Sequence, residues 1–227
     1  MRPLTLAVLL AILVPVLTFS QPRPTDRVTQ GIEWFQLSNN IKVSKRATLL
    51  AEGVFRFAGG FDPMQFQVRV GADIHVNENL TVMPLGYVYT WNPVYGKQPA
   101  KYVNNEHRLY QQAAYKHRIG RIQLLHRGRF EERYIQVHTM ENGEVINHGY
   151  DLPLIRVRYR LMMNIPLNGA EIGSKTIYAS FYDEIYMEFG KAIVYHKPDQ
   201  NRVFAGLGYQ ANDKLTITGG FIYQMLV

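Results

Sequence analysis

The 227-residue chain has no cysteine, which excludes a disulfide framework, a thiolate metal site and a lipid-modified cysteine behind an export leader. Beyond its N-terminal segment it has no run of about twenty apolar residues, so no transmembrane helix is expected there. Helical periodicity is missing from Gly31 onward. Acid is in the minority: 18 Asp and Glu stand against 25 Lys and Arg, a formal charge of +7. No Lys/Arg run is interleaved with aromatic stacking positions, so the basic balance does not point to nucleic acid. Outer-membrane lipid, the phosphates of lipopolysaccharide and acidic groups inside a lumen are the expected counterparts.

What is present begins with Arg2, an apolar run from Leu4 to Leu17, and Thr18-Phe19-Ser20 before polar Gln21-Pro22-Arg23-Pro24. This pattern predicts a secretory signal peptide over residues 1–20, cut after Ser20; a retained anchor helix is the alternative. Removing it takes one arginine and no acid, leaving 25 − 1 − 18, or +6. Residues 21–30 read as a short periplasmic lead, and 31–227 as one β-barrel domain of a Gram-negative outer membrane.

From Gly31 the chain repeats runs of about ten residues with period-two alternation, each closed by a turn signal. The runs are Gly31 to Val43, Ala47 to Phe57, Gln65 to Val76, Leu80 to Trp91, Glu106 to His117, Arg121 to Val137, Leu154 to Ile165, Lys175 to Phe189, Asn201 to Gln210 and Leu215 to Gln224. Pro84 lacks a ladder donor and predicts a bulge or weak pairing. Connections are mostly short after odd-numbered runs and longer after even ones, including a loop from His138 to Pro153. That asymmetry predicts an antiparallel up-and-down transmembrane barrel of about ten strands, with ten to twelve as the range. Its N-terminus is expected on the periplasmic side.

The run Leu154 to Ile165 carries the central choice. Ile155, Val157, Tyr159, Leu161, Met163 and Ile165 alternate with Arg156, Arg158, Arg160 and Asn164. A soluble lipocalin-like barrel would bury the first set and solvate the second; an outer-membrane barrel points the first at lipid and the second at its lumen. Strand length, fifteen tyrosines suited to interface girdles and glycine on the strands favour the membrane.

Inside a narrow lumen the arginines need partners. A charge network is expected among Glu106 and Arg108 on one run, Arg127, Arg129, Glu131 and Arg133 on the next, Arg156, Arg158 and Arg160, and finally Glu184 and Glu188. Folding the hairpins about their loops sets Arg156 near Glu131 and Glu184. Asp183 falls on the lipid face by strict alternation; a β-bulge near Tyr182 to Glu184 would turn it inward, with a rim position as the alternative.

Signals for chemistry are weak. Ser180, Asp73 and His75 toward the lumen and His126 toward lipid form no nucleophile elbow or triad spacing. His107 and His117 read as interface residues. His138, Glu141, Glu144, His148 and Asp151 share one loop, and His196 and Asp199 another, without paired ligand spacing. No catalytic residue, metal site or cofactor is expected. Gly206 and Gly208 precede no helix and make no phosphate cradle.

Several short motifs, in order, carry a resemblance over nearly the whole mature chain: Trp34 with Asn39-Asn40 and a Ser-Lys pair, Glu106-His107-Arg108 with Gln111-Gln112, and His126-Arg127-Gly128-Arg129-Phe130-Glu131-Glu132-Arg133. Arg156 to Pro166, Tyr182-Asp183-Glu184, and Asn201-Arg202 with Gly206-Leu207-Gly208-Tyr209 continue it. With these the chain resembles the DUF2490 outer-membrane barrels, common in Bacteroidetes. The resemblance implies fold and location, and no assigned activity. It also implies a further strand after a segment like Phe221 to Gln224, where this chain reads Met225-Leu226-Val227.

The expected role is a structural or interaction barrel, or a narrow pore, with a polar lumen open to a protein partner or a small anionic ligand. An outer-membrane hydrolase or lipid-modifying enzyme is the alternative.

Overall fold

Period-two alternation becomes strand wherever it occurs, because apolar and polar side chains can separate only onto opposite faces of a pleated chain. The computed structural model describes residues 29–96, 102–151, 153–190 and 198–226; the expected leader and most of the lead lie outside them. It contains β1 (Ile32–Lys42), β2 (Ala47–Ala58), β3 (Asp62–His75), β4 (Leu80–Asn92), β5 (Asn104–Ile119), β6 (Ile122–Glu141), β7 (Glu144–Tyr150), β8 (Leu154–Pro166), β9 (Thr176–Phe189), β10 (Pro198–Asn212) and β11 (Leu215–Leu226). Each main-path strand pairs antiparallel with the next, in the order β1-β2-β3-β4-β5-β6-β8-β9-β10-β11.

The sheet is an up-and-down one, curled like part of a barrel. Curling brings the first strand back to the tenth: the Arg202 guanidinium on β10 lies 4.7 Å from the centre of the Trp34 ring on β1, which also meets its ladder partner Arg56 at 3.8 Å. Among the described residues no ladder joins β1 to β11, so side chains rather than backbone bonds meet across the seam.

The two faces differ sharply. Leu37 and Phe221 on the convex face are 73% and 72% exposed, whereas Glu131 and Glu184 on the concave face are 0% and 2% exposed. Near the short turns the concave face is filled by apolar and aromatic groups, with Met83 and Tyr110 packed beside Leu50. Gly86 makes room for this packing, because a Cβ there would collide with the Tyr110 ring.

Three expectations change, and the one at Pro84 holds. The stretch from His138 to Pro153 is not a loop: β6 runs on to Glu141, turns through Asn142-Gly143, both at positive φ (51° and 85°), and returns as β7. An Asn-Gly pair tolerates the left-handed turn that a two-residue hairpin needs, so the described residues form eleven strands, ten of them on the main path. Asp183 needs no bulge: the β8–β9 and β9–β10 registers run unbroken through Tyr182 to Glu184, and Asp183 points outward, accepting a hydrogen bond from Asn201 Nδ2 at 2.7 Å. The β4–β5 ladder does skip between Met83 and Gly86, around Pro84.

The third change concerns the two ends of the sheet. Ile32 pairs with Ala58, beside the Gly59 to Phe61 turn, at the end that also carries the two longest connections, β4–β5 and β6–β8, and the β9–β10 connection. A first strand followed by a short turn must start at the opposite end from that turn. The start of β1 and the longer connections therefore share a side, contrary to the expectation that they lie apart.

Candidate functional site

Five strands contribute to a continuous ion-paired chain on the concave face, each through its polar alternate positions. On β5, Glu106 Oε1 accepts from Arg108 Nη2 at 2.6 Å and from Arg133 Nε at 2.7 Å. Arg108 reaches on to Glu131 at 3.3 Å, and Arg158 Nη1 donates to Glu131 at 2.6 Å. Arg158 Nη2 then donates to Glu184 at 2.8 Å, and Glu184 also takes Arg127 at 2.5 Å and, more loosely, Arg202 at 3.7 Å. The Tyr186 hydroxyl donates to Glu184 at 2.6 Å and lies 3.1 Å from Arg158. Glu188 closes the upper branch by pairing with both Arg133 and Arg156.

All eleven charged residues expected in the network lie on this face, and the register decides who meets whom. Arg156 sits opposite Glu131 and Glu188 in the ladders. The residue that bonds both Glu131 and Glu184 is Arg158, two positions further on, because the β8–β9 hairpin closes around a nine-residue turn, 167–175. Arg121 pins that turn by donating to the carbonyls of Pro166 at 2.8 Å and Gly169 at 2.7 Å. Beside it Arg118 binds Glu171 at 2.5 Å and holds its carboxyl below the usual carboxylate range.

Further members were not singled out from the sequence. Arg69 on β3 pairs with Glu52 on β2 at 3.3 Å, and Arg129 donates to Gln112 at 2.6 Å while lying 4.2 Å from the Tyr110 ring centre. Trp34 meets its ladder partner Arg56 within the β1–β2 hairpin and Arg202 only across the seam. The alternation of Gln67, Arg69 and Gly71 marked the inward face of β3; nothing local marked its partner.

The residues weighed for chemistry are dispersed. Ser180 is buried opposite Asn164 in the β8–β9 ladder, and no hydrogen bond joins it to a histidine among the described residues. His75 lies between Thr48 at 2.9 Å and Thr81 at 3.2 Å. Outward-facing His126 bonds the Tyr159 hydroxyl at 2.7 Å and stacks on His117. In the β6–β7 hairpin His148 bonds Thr139 and the His138 ring packs tilted against Tyr102; the His196 and Asp199 side chains lie outside the described residues. Among those residues no three His, Asp or Glu side chains cluster as metal ligands.

A second, shallower feature lies on the convex face, where Tyr87, His107, Leu109, Tyr134 and Tyr150 line an open cleft of about 350 Å³. His107 sits between two hydroxyls, Tyr87 at 2.6 Å and Tyr150 at 3.0 Å, which ties β7 back to β5.

No curated protein and no solved structure matches the chain. Residues 33–226, which include every strand of the ion-paired chain, match the model of DUF2490, described as a protein of unknown function, and the chain belongs to that family.

Proposed function

We propose that the protein is an integral outer-membrane barrel, delivered by a cleaved leader, whose interior is plugged by its ion-paired chain. It serves as a structural or interaction barrel rather than as an open channel. The observation that carries this reading is the inversion of its faces. Bulky apolar side chains cover the convex surface, and arginine and glutamate are buried on the concave one. A soluble fold would place them the other way round, whereas a lipid-facing barrel has this distribution. Main-path strands of 11 to 20 residues meet or exceed the roughly 9–11 needed to cross a bilayer.

Cell fractionation tests the location: the protein is expected in outer-membrane fractions, migrating differently on gels before and after heating. Recovery of folded protein from the soluble fraction would overturn the reading. Single-channel recording tests the plug, since steady ionic conductance through the reconstituted protein would replace the plugged barrel with a narrow pore.

A further inference from the structure

The cleft on the convex face is built from two neighbouring ladder rows. Tyr87, Leu109 and Glu132 stand opposite one another across β4, β5 and β6, and Tyr89, His107 and Tyr134 do so in the next row. Each alternates with an inward residue of its strand, such as buried Val88, Arg108 or Glu131. Tyr87, His107, Leu109 and Tyr134 line the cleft together with Tyr150 from β7, and the lining is almost wholly apolar. At about 350 Å³ it stands at the small end of ligand pockets. His107 holds the walls in place: one ring nitrogen bonds the Tyr87 hydroxyl at 2.6 Å and the other the Tyr150 hydroxyl at 3.0 Å. In a neutral imidazole one of these tyrosines donates and the other accepts. The Tyr150 ring stands at 72° to the imidazole and the Tyr87 ring at 31°, with centres 4.7 and 6.0 Å away. With both hydroxyls tied back to His107, these walls offer ring surface to whatever enters.

Glu132 is the charged group beside this surface. Its ladder partners are Leu109 and Ile155, its neighbours two positions along β6 are Phe130 and Tyr134, and it makes no hydrogen bond or ion pair among the described residues. Directly opposed residues have Cβ atoms roughly 5 Å apart, which sets Glu132 against the cleft wall at Leu109. The arginines of the ion-paired chain lie on the other face of the sheet. A carboxylate ringed by apolar side chains is costly without a counter-charge. Ring faces and an unpaired carboxylate together select an organic cation, because an ammonium is drawn to the ring quadrupole while its alkyl groups fill apolar space. An anion would be repelled, and a neutral apolar ligand would leave Glu132 unpaired.

We propose that the cleft of Tyr87, His107, Tyr134 and Tyr150, with Glu132 beside it, binds an alkylated ammonium cation of the choline class. The cation is either free or carried on a lipid headgroup, and one chemistry serves both. The headgroup source rests on the outer-membrane reading, in which the convex face meets lipid; the free cation does not.

The test uses the full chain folded in a neutral detergent without an ammonium group, at an ionic strength held constant with sodium chloride. Choline chloride is titrated calorimetrically and against the urea midpoint, beside its uncharged isostere, in which a tert-butyl group replaces the trimethylammonium. One saturable choline site that raises the midpoint is expected. It should be weakened at least about threefold in Tyr134→Leu and in Glu132→Gln, and unchanged in Glu78→Gln, which removes the same charge from the exposed turn between β3 and β4. If free choline has no effect, the protein is moved into vesicles of phosphatidylcholine and of phosphatidylglycerol. Stabilisation by the first alone, lost in Tyr134→Leu, assigns the headgroup.

Absence of both effects overturns the proposal, as does choline binding that Tyr134→Leu leaves intact. Equal binding of the uncharged isostere also overturns it, since the cleft would then be selecting shape and not charge. Should Tyr134→Leu fail to fold, Glu132→Gln takes its place, and unchanged choline affinity in that variant overturns the assignment. Fractionation fails or succeeds independently: a soluble protein that binds choline sinks the membrane reading alone, and an outer-membrane protein indifferent to choline and to phosphatidylcholine sinks this one alone.

Discussion

Glu131 and Arg158 show what a buried charge requires of its neighbours. Glu131 is fully buried and shared among three arginines, so truncating it strands several cations at once. Glu131→Ala is expected to cost about 3–5 kcal/mol, as removal of one partner from a buried pair does, read from urea unfolding followed by tryptophan fluorescence. At the seam, Trp34 lies between Arg56 and Arg202. Arg202→Met should cost about 1–2 kcal/mol through the lost cation–π contact, and the same denaturation series checks it. Gly86→Ala should cost about 1–3 kcal/mol by overpacking against Tyr110, and pairing it with Tyr110→Ala should recover part of that loss.

At the scale of the element, each strand presents two surfaces to two environments, and substitutions should divide accordingly. Val70 on the convex face of β3 is expected to tolerate Ile, whereas Val70→Arg should cost about 2–4 kcal/mol when measured in a bilayer and much less in a detergent that admits water. The β6–β7 hairpin is held to the sheet through Tyr150 and His107. Tyr150→Ala should therefore speed proteolysis at Asn142-Gly143 while leaving the barrel's resistance to protease intact. At the opposite end the Arg118–Glu171 pair is exposed and responds to pH. Because the pair lowers the Glu171 carboxyl pKa, its contribution is present above the ordinary carboxylate range. It is lost as pH falls below about 4, and faster amide exchange in the turn 167–175 would register the loss.

For the molecule as a whole, the curled sheet makes a single interior out of residues far apart in the chain. Period-two alternation sorted the side chains into an apolar and a charged set, and that sorting survives in every strand of the ion-paired chain, because which side a residue takes depends only on its own strand's pleat. It likewise located the turns and the break at Pro84, where the local chemistry is sufficient. Partnership is a different quantity. Whether Arg156 or Arg158 joins Glu131 to Glu184 depends on the length of the 167–175 turn, and one hairpin step moves every contact by two residues. The meeting of Trp34 with Arg202 requires the curl of the whole sheet, and the second β6–β7 hairpin emerged because long polar sequence can still pair beyond the barrel. The unpaired seam and the shared side of the longest connections are likewise properties of closure and register. A linear sequence fixes each strand's faces through local geometry, whereas distances between strands arise only once turn lengths, bulges and sheet curvature act together.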